Sequence, residues 1–148
     1  MSLPEGNHPE IANNTIVQNS VGVRVGAQVP ISTQLYANNI IVANAVGLLL
    51  DPANSGNVPT WTNNLVFNNR PNYSGIPDQT GLNGNISVDP QFVSILDFQL
   101  QPTSPAIDAG TLSVPNLPPT DFAGDPRVVD GDGNGEALPD MGAFEFIP

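Results

Sequence analysis

A block of eight residues recurs along this chain at a fixed step of 25 residues. Ala12-Asn13-Asn14-Thr15-Ile16-Val17-Gln18-Asn19 is followed by Ala37-Asn38-Asn39-Ile40-Ile41-Val42-Ala43-Asn44, then by Thr62-Asn63-Asn64-Leu65-Val66-Phe67-Asn68-Asn69. The register extends beyond the block: Val21-Gly22-Val23 aligns with Val46-Gly47-Leu48, and Tyr36 aligns with Trp61. A weaker fourth copy, Asn85-Ile86-Ser87-Val88, follows after 21 residues. A unit this short holds two or three strands and cannot bury an apolar face alone, so it must stack on its neighbours as a solenoid. Leucine-rich repeats share the period but place leucines at fixed offsets around one Asn, whereas here Ile and Val follow an Asn pair.

Composition limits the strands to short ones. Gly and Pro fill 30 of 148 positions and asparagine 18 more, so turn formers are spread throughout and no uninterrupted helix-period segment of a dozen residues remains. The expected class is all-β. A net charge of −11, from fourteen acidic residues against Arg24, Arg70 and Arg127 with no lysine, would repel a phosphate backbone and excludes nucleic acid as a partner. The absence of cysteine excludes disulfides and thiol chemistry. No stretch approaches the roughly 20 apolar residues that membrane insertion as a helix requires.

In a parallel stack, equivalent residues lie about 4.8 Å apart, close enough for side-chain amides to hydrogen-bond along the axis. Asn14, Asn39 and Asn64 are expected to form one ladder, and Asn19, Asn44 and Asn69 another; a polar row that binds sugar is the alternative role for them. Ile16, Ile41 and Val66 should stack in one row, and Val23 on Leu48. With Asn14 and Ile16 facing inward, Thr15, Ile40 and Leu65, together with Val17, Val42 and Phe67, form outward stripes that something must cover. The proline-rich segment from about Ser104 keeps Ile107, Val114, Leu117, Phe122, Val128, Val129, Phe144 and Phe146, and is expected to lie along that flank as an irregular strap.

The Asn-Asn-x-Ile blocks over residues 11–90 resemble those of right-handed parallel β-helix repeat proteins, the pectin-lyase-like fold. The last third carries Asp89-Pro90-Gln91-Phe92-Val93, Phe98 to Gly110 with Ser104-Pro105-Ala106-Ile107-Asp108-Ala109, then Asp121-Phe122-Ala123-Gly124-Asp125-Pro126-Arg127 and Asp140-Met141-Gly142-Ala143-Phe144-Glu145. In that order these segments resemble the ends of bacterial surface proteins of the choice-of-anchor type. The resemblance implies a single-stranded right-handed parallel β-helix of about three to four coils with an irregular C-terminal strap, exported to the extracellular space or cell surface. Residues 1–10 are expected to be added sequence and lead-in, 11–100 coils, and 101–148 the strap. Such a short stack, rising about 17 Å, reads as the end of a longer β-helix, with an open first coil through which the chain could self-associate.

Chemistry is sparse. The sole histidine, His8, lies near the start, so no Ser/His/Asp triad or His-rich metal site can be assembled. Polysaccharide lyases of this fold commonly use basic residues and calcium, which three scattered arginines do not supply. Glycosidase-type pairing among Asp89, Asp97 and Asp108 would need separations of about 5–10 Å that no spacing dictates. No catalytic residue is assigned. Asp108 and Arg127 are expected to pair and fix the strap, with substrate binding by Arg127 as the alternative. The most local constellation is Asp130-Gly131-Asp132-Gly133-Asn134-Gly135-Glu136, followed by Asp140. Oxygen ligands at alternate positions on a Gly-permitted turn suit calcium, so Asp130, Asp132, Asn134, Glu136 and Asp140 are the candidate ligands. The twelfth position, which an EF-hand fills with Glu, is Met141, and the alternative is a solvated acidic turn. The expected function is a structural or adhesive surface module whose partner is a polysaccharide or a surface protein; the alternative is the terminal part of a polysaccharide lyase or glycoside hydrolase.

Overall fold

The computed structural model describes residues 10–26, 34–54 and 58–148. Nine short strands carry the repeat: β1 (Glu10–Ala12), β2 (Thr15–Val17), β3 (Val23–Val25), β4 (Leu35–Ala37), β5 (Ile40–Val42), β6 (Leu48–Leu50), β7 (Thr60–Thr62), β8 (Leu65–Phe67) and β9 (Tyr73–Ser74). They assemble into three three-stranded parallel sheets, β1-β4-β7, β2-β5-β8 and β3-β6-β9. Pairing follows the 25-residue step throughout: Ile16 stands on Ile41 and Ile41 on Val66, Val23 on Leu48, and Tyr36 on Trp61. Among the described residues there is no α-helix, and one 3-10 turn spans Pro52–Asn54.

The Asn-Asn pairs divide two tasks between their members. The first Asn of each pair turns the corner in the left-handed region, at φ of 53° for Asn13, 56° for Asn38 and 49° for Asn63, a conformation Asn tolerates better than other side chains with a Cβ. The second builds the ladder. Asn39 Nδ2 donates to Asn64 Oδ1 at 2.9 Å while the Asn39 amide donates to the same oxygen at 3.1 Å. Asn14 uses Asn39 in the same way, and Asn64 uses Asn85. A second ladder runs Asn19, Asn44, Asn69 and ends on Asn72, which stands three residues after Asn69 in the place of a further rung. Asn39, Asn44 and Asn64 are almost wholly buried, whereas Asn14 and Asn19 are exposed because they are the first rungs.

Successive repeats approach closely. A Cβ on Gly47 would sit 2.5 Å from the Asn72 carbonyl oxygen, so no larger residue fits there. Inside the stack Val25, Ile41, Leu48, Leu50 and Val66 are sealed from solvent, and Tyr36 stacks on Trp61 with centroids 4.1 Å apart. The outward stripe forms a second core: Ile40, Val42 and Leu65 pack under Leu100, Ala106 and Met141 of the C-terminal segment, with Ile107 and Phe146 at the margin.

The C-terminal segment is held on this flank by the corner asparagines. Asn13 Nδ2 donates to the Asp140 carbonyl, Asn38 Nδ2 to that of Thr111 and Asn63 Nδ2 to that of Ala109; the Thr111 amide donates back to Asn38 Oδ1. Gly142, at φ +101°, runs so near β5 that a Cβ would lie 2.8 Å from Ile40 Cδ1.

Two expectations need correction. Regular coils do not continue to residue 100: Ile86 makes one parallel bridge to Leu65, and β10 (Phe92–Ser94) and β11 (Asp97–Leu100) then form an antiparallel hairpin. Pro77, Gly81, Gly84 and Pro90 interrupt the segment where further strands would have to pair. Nor do all the strap's apolar residues face the flank, since Phe122 is 82% and Val128 40% exposed, and Met141 takes a buried place instead.

Asn64→Ala should cost about 2–4 kcal/mol, because it leaves two buried donors of Asn39 without an acceptor. Asn14→Ala, at the exposed end of the same ladder, should cost less than about 1 kcal/mol. Urea denaturation of the two variants checks the contrast; equal losses would contradict it.

Candidate functional site

The acidic loop leaves the strap at the Val129–Leu138 bridge and closes on Asp108. Asp108 Oδ2 accepts from the Gly131 and Asp132 amides at 2.9 and 2.8 Å, and its Oδ1 from the Leu138 amide at 3.2 Å. Within the loop the short polar side chains bind nearby amides: Asp130 Oδ2 accepts from Gly135, Asp132 Oδ1 from Asn134, and Asn134 Oδ1 from Glu136. Gly133 and Gly135 supply the positive φ that the tight reversal needs.

This folding brings one carboxylate oxygen each from Asp108, Asp130 and Asp132 within 4.8 Å of one another. Oxygen ligands at 2.3–2.6 Å from a calcium-sized ion lie up to about 5 Å apart, so the three oxygens could hold one metal ion. Asp130 Oδ1 is buried and has no hydrogen-bond donor, which leaves a formal anion short of compensation.

The ligand set differs from the one read from sequence. Asp130 and Asp132 stand in the cluster and Asp108 joins them, although its motif lies more than twenty residues upstream. Asn134 and Glu136 lie on the exposed side of the loop. Asp140 is 1% exposed and turns into the strap, where its carboxylate accepts from the Asp108 amide at 2.8 Å and the Phe146 amide at 2.6 Å. Burial of the following Met141 against Ile40 and Leu65 fixes that orientation. His8 and Met1-Ser2-Leu3 lie outside the described residues.

Arg127 is not paired with Asp108. It reaches the turn at residues 142–145, donating from Nη1 to Glu145 Oε1 at 2.9 Å and to the Gly142 carbonyl at 3.2 Å. The reason is geometric: loop amides already occupy both Asp108 oxygens, while the side chains of Arg127 and Glu145 are 4% and 1% exposed and meet inside the strap. Asp121 joins from the other side by accepting the Glu145 amide at 2.9 Å. One guanidinium therefore serves a buried neighbourhood of three carboxylates. Burial, reinforced by the Asp140 charge, pushes Glu145 up to about 8 against the pull of Arg127. Burial likewise lifts Asp140 to about 6, against the amides that donate to it. Asp89 and Asp97 are exposed and receive local turn amides from Gln91 and Gln99.

The chain matches no protein-family profile, and no curated protein or solved structure matches it at a significant level. The chain is an all-β protein of parallel strands stacked in register, with no helix among the described residues long and apolar enough to cross a membrane.

Both raised carboxyl groups bind protons more tightly in the folded chain than in the unfolded one. The stability they contribute is complete below their ordinary values of 3.8 and 4.5 and is lost as pH rises through about 6 and about 8. The urea midpoint should therefore fall between pH 5.5 and 9, with the upper part of the fall removed by Glu145→Gln. A midpoint that climbs over this interval would contradict the assignment.

Proposed function

We propose that this chain is a non-catalytic C-terminal module of an exported bacterial surface protein, built on a right-handed β-helix of the pectin-lyase-like kind with a choice-of-anchor type end. It serves as a structural and adhesive element at the cell surface and engages polysaccharide. The observation that carries this reading is the use of the polar side chains. Ladder asparagines bind each other, corner asparagines bind the strap, and the buried cation Arg127 is engaged by Glu145. These groups hold the coils and strap together, and sugar recognition falls to exposed surface. Self-association belongs at the first-repeat end, where Asn14 Oδ1 and Asn19 Oδ1 have no donor among the described residues. A glycan array probed with the chain, followed by a reducing-end assay on each bound polysaccharide, should show binding without chain shortening. Release of new ends would point instead to the terminal part of a lyase or glycoside hydrolase.

The metal reading of the acidic loop is calcium. It is supported by the three-carboxylate cluster and by the orphaned Asp130 Oδ1. Asp108, Asp130 and Asp132 would be the ligands, closing a segment in which seven of the fourteen acidic residues fall between Asp121 and Glu145 with only Arg127 against them. At 100 times its dissociation constant calcium should add about 2.7 kcal/mol to stability. Magnesium, which demands a tighter octahedron, should not reproduce the effect. Thermal unfolding in calcium and in chelator measures the difference, which should vanish in the Asp130→Ala, Asp132→Ala variant. An unchanged melting temperature would leave the loop an ordinary acidic turn.

A further inference from the structure

Away from the acidic loop, the first repeat and the strap enclose an open cleft of about 480 Å³, within the range of small-ligand sites. Asn14, Phe98, Thr120, Phe122, Arg127 and Phe144 contribute to its lining. We propose that this cleft binds a neutral hexose unit of a polysaccharide, with the Phe122 ring as its stacking platform. The proposal rests on the reading of the chain as a glycan-binding module and gives that reading a site.

Phe122 is 82% exposed and is the one aromatic among the exposed large apolar residues described. It is nevertheless braced. Its amide donates to the Ala143 carbonyl at 3.0 Å, the adjoining turn is fixed by Asp121 Oδ1 accepting from the Gly124 and Asp125 amides, and its ring meets Phe144 edge-on at 5.6 Å. An aromatic face held in solvent suits the C–H face of a pyranose, whose weakly positive hydrogens pack against the ring's negative face.

Hydrogen-bonding capacity at the cleft matches the hydroxyl rim of the same ligand. Asn14 is the first rung of its ladder, so both Nδ2 hydrogens are used, on Ala12 and Asn39, while Oδ1 has no donor among the described residues. The Thr120 side chain is exposed.

Charge selects a neutral sugar over an acidic one. Asp121 lines the cleft and the whole chain carries −11, so a uronate would be repelled. Size selects a sugar over a protein surface, which commonly buries about 800 Å² per partner around an apolar centre. Here the rings of Phe98, Phe122 and Phe144 stand beside Asn14 and Thr120 around a space of about 480 Å³.

Isothermal titration of the full chain with cellohexaose, mannohexaose and hexagalacturonate tests the assignment. At least one neutral hexaose should bind, hexagalacturonate should bind at least tenfold more weakly, and Phe122→Ala should weaken the neutral sugar at least tenfold with an unchanged melting temperature. Neutral-sugar binding that Phe122→Ala leaves within twofold would overturn the cleft and spare the glycan-binding reading. A wild-type chain that binds nothing in this titration and nothing on the array would end both. Equal affinity for hexagalacturonate would overturn the neutral class. A dimer in sedimentation velocity that Phe122→Ala dissolves would place a second copy in the cleft and overturn the proposal.

Discussion

The structure depends on a hydrogen bond between primary amides of asparagine side chains one repeat apart. An amide presents two donors and a two-lone-pair acceptor, and at the spacing of parallel strands it can accept from one neighbour and donate to the next. Asn64 does so fully: Oδ1 accepts from the Asn39 amide and from Asn39 Nδ2, while Nδ2 reaches Asn85 Oδ1 and the Tyr36 carbonyl. Alanine has no amide, and an aspartate would set acceptor against acceptor. Burial is therefore compatible with polarity only while the rungs stay in register, which ties every strand to a common period.

Corner geometry adds a second constraint. At the other bend of each repeat the left-handed residues are Gln18, Ala43 and Asn68, so the conformation is imposed by the stack even on an alanine, at a cost of about 1–2 kcal/mol. The stack tolerates this because the flanking strands are fixed on both sides, by the rows through Ile41 and through Leu48. Local preference and global fold agree at Asn13, Asn38 and Asn63 and conflict at Ala43.

The strap resolves a problem that the repeat creates. Alternation along β5 and β8 sends Ile40, Val42 and Leu65 out of the stack while Ile41 and Val66 point in, leaving an apolar face that one sheet layer cannot hide. The proline-rich segment covers it without regular strands. Its backbone groups must then find partners other than a ladder, and the corner asparagines supply several of them. Its charges concentrate around Arg127 and the acidic loop, so the same segment that closes the second core also carries the candidate metal site.

The 25-residue period, the all-β class, both rows of ladder asparagines and the inward set of Ile16, Ile41 and Val66 were legible in the sequence, because each is a property of equivalent positions and equivalence can be read by counting. Asn72 as a ladder end broke the period and gave no such signal. Tertiary structure alone decided which side chains meet in the strap. Asp108 and Arg127 looked like partners on composition, yet two loop amides claim Asp108 Oδ2 and Glu145 claims the guanidinium. Asp140 looked like a loop ligand, yet the burial of Met141 beside it turns its carboxylate inward. Outside a repeat nothing in the residue order states which distant segments touch; that is settled by how an irregular chain covers a particular apolar face, and the acidic cluster follows from where that covering places Asp108.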